Sequence, residues 1–360
     1  MAWSFPIIRI FGSEVRIHVT FFLLLLWIGV AHYNQGGSEA AITGILFILA
    51  LFACVVAHEF GHALAARRYG IHTPDITLLP IGGMARLERM PEKPSEEIIV
   101  ALAGPAVNVV IAAALILFFG ADPGMAALQG IGDPAQGFLS RLAMVNIFLV
   151  VFNMIPAFPM DGGRVFRAIL AMRYRRARAT RIAANVGQGF AFLLGFIGLL
   201  GNPLLIFIAI FVYIAATAEA QATELQQVSR NISAGDAMIT SFETLQSQAT
   251  IADAADALLR TTQVEFPLME EDGRLAGFVT RSSMIGVLSA SGADAPARAA
   301  MTADIPVVLQ GDRLEAALLA MQKSNAPAVA VNDRTGRFVG YITAENIGEL
   351  VMLETSAGKI

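Results

Sequence analysis

The chain is 360 residues long, 56% hydrophobic and only 15% charged, with a net charge of −4 and a mean hydropathy of +0.62. Soluble globular proteins average roughly 25% charged and about 45–50% apolar residues, so the composition excludes a freely soluble protein, a disordered chain and a collagen-like repeat. A single cysteine, Cys54, lies in an apolar run and excludes a disulfide scaffold.

A bilayer core requires about 20 apolar residues of helix. Six segments in the first 225 residues can serve: 19–30 with its flanks, 41–65, 98–119, 142–158, 183–200 and 203–222. The first is followed by Gln35-Gly36-Gly37-Ser38 instead of a small-residue cleavage site, and further spans come after it. It is therefore predicted to be a retained span and not a signal peptide.

Lysines and arginines fall in alternate connections. Arg9 and Arg16 precede the first span, Arg67, Arg68, Arg86, Arg89 and Lys93 follow the second, and Arg164, Arg167, Arg173, Arg175, Arg176, Arg178 and Arg181 follow the fourth. Connections 33–40, 120–138 and 201–203 contain none. The asymmetry predicts that both termini and the polar C-terminal half lie in the cytoplasm. The arginines at 173–181 are read as topology charges that touch anionic lipid, and no nucleic-acid partner is expected.

The second span ends in His58-Glu59-Phe60-Gly61-His62. Residues four apart on a helix lie about 40° apart around its axis, so His58 and His62 project from one face. Two such imidazoles can hold one zinc ion, and Glu59 can take the proton of a zinc-bound water, which is the logic of the H-E-x-x-H pattern. Satisfied core histidines would be the bland alternative. A carboxylate at this depth argues against it, since ionisable groups within a span are expensive and usually functional.

A hydrolytic zinc needs a third protein ligand. His18 and His32 flank the first span and His72 follows the second, positions that suit the membrane interface. Asp161 is the better candidate, in Asn153-Met154-Ile155-Pro156-Ala157-Phe158-Pro159-Met160-Asp161-Gly162-Gly163. Read alone, this is a helix-ending turn with a solvated aspartate. Broken backbone at membrane depth is also what lines a cavity, and both motifs fall at the cytoplasmic ends of spans running the same way.

With these residues in place, residues 1–225 resemble the site-2 proteases, zinc intramembrane metalloproteases, on His58–His62 and on the Asn153-to-Gly163 segment. The resemblance implies one zinc ion held by His58, His62 and Asp161, Glu59 as general base, and Asn153 as a catalytic side chain that steers substrate or oxyanion. Met160 stands where many members carry leucine. Gly104-Pro105 and Asn108 match another family feature, read as helix packing. The segment 76–87 reads as a short β-hairpin. In the resemblance it is a membrane-associated sheet whose Gly82, Gly83 and Met84 pair with an unwound substrate, and a purely structural hairpin remains open.

Residues 235–355 contain a repeat: Ala237-Met238 recurs as Ala300-Met301, Ile251 as Leu314, and Gly277-Phe278-Val279-Thr280 as Gly340-Tyr341-Ile342-Thr343. Each copy reads as helix, strand, strand, helix, with turns at Asp272-Gly273 and Thr335-Gly336. This resembles a tandem CBS pair, which implies dimerisation and an adenine nucleotide such as ATP, with Thr280 and Thr343 near phosphate. Ser283 and Asn346 replace the usual ribose-holding aspartate, so a module that merely packs stays open.

The expected architecture is a polytopic α-helical membrane protein of about six transmembrane helices, with a small membrane-associated β-hairpin or sheet, plus a cytosolic α/β tandem CBS module. Its domains are 1–225 for the protease, 226–234 for a linker, and 235–292 and 293–360 for the CBS repeats. The expected protein is a zinc endopeptidase in a prokaryotic inner membrane, acting on a membrane-spanning protein substrate and gated by the CBS pair. The competing reading is a divalent-metal transporter or channel with a regulatory CBS pair. Glu59 discriminates, because a hydrolase requires it. A transporter would also commonly show repeated halves, and neither motif has a second copy.

Overall fold

Two strands precede the first helix: β1 (Ser4–Ile10) and β2 (Ser13–His18) form an antiparallel hairpin. The structure, a computed structural model, describes residues 3–80, 82–124 and 137–356. The sequence readings of Ile81, of most of connection 120–138 and of the end of the second repeat lie outside the described residues. The chain divides into two units, Met1–Ala220 and Gln221–Ile360.

In the first unit, helix α1 (Val19–Arg67) holds the first two expected spans. They are separated at Gly36 and Gly37, and Gly37 adopts a left-handed backbone (φ 71°) that L side chains resist. His18 caps this helix, its ring accepting a hydrogen bond from the Thr20 amide, in keeping with a place at the end of a span. Strands β3 (Asp75–Leu79) and β4 (Gly82–Arg86) follow, then α2 (Pro94–Phe119), α3 (Phe138–Asn153), α4 (Asp161–Ala171), α5 (Arg176–Gly201) and α6 (Pro203–Asn231).

Four described helices, α1, α2, α5 and α6, are long and apolar enough to cross a membrane. Helix α3 is shorter, at 16 residues, and stops at Asn153 instead of reaching 158. Pro156 disfavours helical backbone in the residue before it, and Pro159 does the same three residues on.

The expected hairpin is half of a four-stranded sheet in the order β1-β2-β3-β4, with β2 and β3 parallel and the other pairs antiparallel. β4 is an outer strand.

The second unit alternates as the repeat predicts. Helix α7 (Ala234–Ala237) and strand β5 (Leu245–Gln246) lead into α8 (Ile251–Arg260), β6 (Glu265–Met269), β7 (Leu275–Thr280) and α9 (Arg281–Ser291). Strands β8 (Met301–Thr302) and β9 (Val307–Leu309) lead into α10 (Leu314–Ser324), β10 (Ala328–Asn332), β11 (Phe338–Thr343) and α11 (Ala344–Ser356). One core gathers around Ile251, Phe266 and Leu268, and its counterpart around Leu314, Val329 and Val331. Phe278 and Tyr341, equivalent positions of the two copies, meet with ring centroids 5.1 Å apart.

Candidate metal centre

Helix α1 brings His58 and His62 to one buried face, with their Nε2 atoms 3.1 Å apart. Asp161 opens α4, where the helix N-terminus favours a carboxylate. Its Oδ2 lies 3.2 Å from each of the two Nε2 atoms. Three ligand atoms held by a tetrahedral zinc at ~2.0–2.1 Å stand about 3.3 Å from one another. The triangle of 3.1, 3.2 and 3.2 Å is close to that size, and two imidazoles plus a carboxylate form a hydrolytic zinc donor set. The residues present therefore fit the ion.

The other ring nitrogens have partners. His62 Nδ1 lies 2.7 Å from the Val100 carbonyl oxygen, and His58 Nδ1 lies 2.6 Å from Asn108 Oδ1. The sequence reading of Asn108 and Gly104 as helix packing misses both roles. Asn108 is fully buried against a candidate ligand. A Cβ on Gly104 would stand 2.2 Å from His62 Nε2 and 2.7 Å from His58 Nε2, so only glycine leaves room for both rings. Neither role could be read from spacing, because the partner lies on another helix.

A cavity of about 500 Å³ opens on the triad. Glu59, Asn153, Gly82, Gly83 and Met84 all line it beside His58, His62 and Asp161, so the structure gathers the expected protease residues into one place. Arg164, one turn after Asp161, also lines it, with Nη1 3.9 Å from Asp161 Oδ1.

Behind α4 sits an ion network. Arg167, counted above among the topology charges, is instead fully buried. Its Nε donates to Glu97 Oε1 at 2.8 Å, and its Nη1 pairs with Glu219. Arg176 Nη2 stands 3.4 Å from Glu97 Oε2. These contacts tie α4, and with it Asp161, to α2, α5 and α6. Burial of Arg167 could not be foreseen, since its acidic partners lie 70 and 52 positions away.

In the second unit a cavity of about 610 Å³ lies beside Tyr341 and Thr343. Its lining includes Glu243, Glu265, Glu345 and Glu349 and no lysine or arginine. Burial, and then the charge of Glu345, pushes the Glu265 carboxyl above its ordinary range. Thr280 does not line this cavity. Its hydroxyl instead caps α9, accepting from the Ser283 amide in a capping box.

The model of peptidase family M50 matches residues 46–196, and the CBS domain model matches 234–290 and 297–352. A zinc metalloprotease of Methanocaldococcus jannaschii, MJ0392, is 35% identical over 78% of this chain and 78% of its own length. Rip3 of Mycobacterium tuberculosis is 28% identical over 97% of this chain and 93% of its own length. Among solved structures, a site-2 protease from Methanocaldococcus jannaschii covers 61% of this chain and 95% of its own, at 34% identity and a TM-score of 0.46.

Proposed function

This chain belongs to peptidase family M50, the site-2 proteases, and carries a tandem CBS pair; on that premise we propose that it hydrolyses a peptide bond in or near a membrane-spanning segment of a protein substrate. The observation that carries the reading is the convergence of His58, His62 and Asp161 in a cavity shared with Glu59. Metal transport, the competing reading, is not favoured by the family.

His58, His62 and Asp161 would hold the zinc. When bound, zinc supplies a Lewis acid that makes water acidic at neutral pH and polarises a carbonyl. Glu59 takes the proton of the attacking water and passes it to the amide nitrogen as the C–N bond breaks. The Asn153 side-chain amide lies along the same cavity and orients the substrate carbonyl. The outer strand β4 offers unpaired backbone groups beside the site, so an unwound substrate adds to the sheet there through Gly82, Gly83 and Met84.

We infer that residues 1–225 form the protease as six spans in a prokaryotic inner membrane and 235–360 the CBS pair, a reading that the lysines and arginines in alternate connections support by putting both termini in the cytoplasm. The CBS pair regulates cleavage, as a dimer, through an adenine-containing ligand seated beside Thr343.

The test is cleavage of a tagged membrane-helix substrate by the purified full-length protein in detergent, with zinc measured on the same sample. Glu59→Gln is expected to abolish cleavage while retaining one zinc per chain. Wild-type activity in that variant would remove Glu59 from the chemistry.

A further inference from the structure

We propose that Asn146 is a positioning residue of the metal centre, acting through Asn108 to fix which nitrogen of His58 is free to bind metal. The inference rests on the reading of His58, His62 and Asp161 as zinc ligands.

Asn146 lies on α3, two turns before Asn153, and both Asn146 and Asn108 are fully buried. Its Nδ2 donates to the Leu142 carbonyl oxygen at 2.8 Å. Asn108 Nδ2 donates to Asn146 Oδ1 at 2.9 Å, and Asn108 Oδ1 faces His58 Nδ1 at 2.6 Å. A backbone carbonyl can only accept. Its place at the end of the chain therefore fixes every bond along it. Asn146 must point its amide nitrogen at Leu142, which turns its oxygen toward Asn108. Asn108 must then donate to Asn146, which turns its own oxygen toward His58. His58 must donate from Nδ1, so in the neutral ring Nε2 keeps the lone pair a metal takes, on the side of His62 Nε2 and Asp161 Oδ2.

For His62 the same outcome needs one step, because Nδ1 meets the Val100 carbonyl directly. Among the described residues no backbone carbonyl plays that part for His58, and the two asparagines carry the polarity across from α3. The chain also joins three helices, α1, α2 and α3, and α3 leads into the segment that delivers Asp161. Partners of a metal ligand that set its tautomer typically change metal affinity about 10- to 100-fold when removed.

The experiment uses the full-length protein in detergent, with zinc affinity measured by competition against a chromophoric chelator. The visible spectrum of the Co²⁺-loaded protein reports ligand geometry independently of activity. Asn146→Leu keeps the branched outline of the side chain, at a larger volume, without its polarity and is expected to bind zinc about tenfold more weakly, with an altered Co²⁺ spectrum. Leu142→Ala, which keeps the terminal carbonyl but loses buried packing, is expected to retain both properties. If Asn146→Leu fails to fold, Asn146→Ala is read in its place. Wild-type affinity and spectrum in the apolar variant would overturn the inference. So would equal loss in Leu142→Ala, since packing alone would then explain it. If wild type binds no stoichiometric zinc, or Asp161→Ala binds as well as wild type, the zinc-site reading itself fails.

Discussion

The two imidazoles of the candidate centre stand side by side only because a neighbouring helix presents no side chain to them. At Gly104 a single added carbon would overlap His62 Nε2, at 2.2 Å, with the rigid α2 backbone behind it. The ring cannot yield without leaving both Asp161 and the Val100 carbonyl. Gly104→Ala is therefore expected to lower zinc affinity by at least about tenfold, the scale of losing a ligand's orientation, while the protein remains membrane-inserted. Competition of the purified variant against a chelator checks this, and wild-type zinc affinity would mean that α2 moves aside. His58, His62, Glu59 and Asp161 were legible in the sequence because their chemistry is written in their spacing and in the breaks around them. Gly104, Asn108 and Asn146 were not, because each acts across a gap between helices that spacing along one helix cannot describe.

Among elements, α4 joins a candidate metal ligand to a buried ion network within 11 residues. It begins with Asp161 and buries Arg167 against Glu97, both with side chains 1% exposed, and the Arg167 guanidinium also lies 5.1 Å from the Phe158 ring. Breaking a buried pair by removing one partner strands the other charge, at a cost of roughly 3–5 kcal/mol, whereas removing both is far milder. Arg167→Met is thus expected to destabilise the first unit by about 3–5 kcal/mol in denaturant titrations, and adding Glu97→Gln to restore only a part of it, because Glu219 is still without Arg167 and Arg176 without Glu97. If the double variant were no more stable than the single, packing would be the source of the loss. The elements themselves were unevenly legible. Long apolar runs announce helices, but the β1–β2 hairpin was hidden by Pro6 within a short apolar run, since proline argues against a strand. Pro6 is tolerated because β1 is an outer strand with an irregular register between Pro6 and Ile8.

The whole molecule joins a helical unit of apolar surface to a unit built on two copies of one motif, and the spacing of that repeat made the second fold readable. The charge of its cavity was not readable, because Glu243, Glu265 and the Glu345 and Glu349 pair on one face of α11 come from three separate segments that converge only on folding. Glu243 is paired with Arg260, whose Nη2 lies 3.2 Å from its Oε2, but Glu265, Glu345 and Glu349 still face the cavity without a lysine or arginine among the lining residues and oppose a polyphosphate. Adenosine is therefore expected to bind the full-length protein at least as tightly as ATP in calorimetric titrations. Repulsion between like charges is weakened by salt, so ATP affinity is expected to rise as ionic strength increases, the reverse of attraction to a basic site. Acid acts in the same direction. Burial and the charge of Glu345 raise the Glu265 carboxyl, so it takes up its proton at a higher pH than an ordinary glutamate. ATP binding is accordingly expected to tighten as pH falls through that range, and to lose most of this dependence in Glu265→Gln. Glu345→Gln combined with Glu349→Gln should raise ATP affinity about tenfold, a scale set by removing two charges a few ångströms from the ligand. ATP binding that weakens with salt and is indifferent to these substitutions would show that phosphate sits away from the carboxylates, and that an adenine nucleotide can signal through this cavity after all.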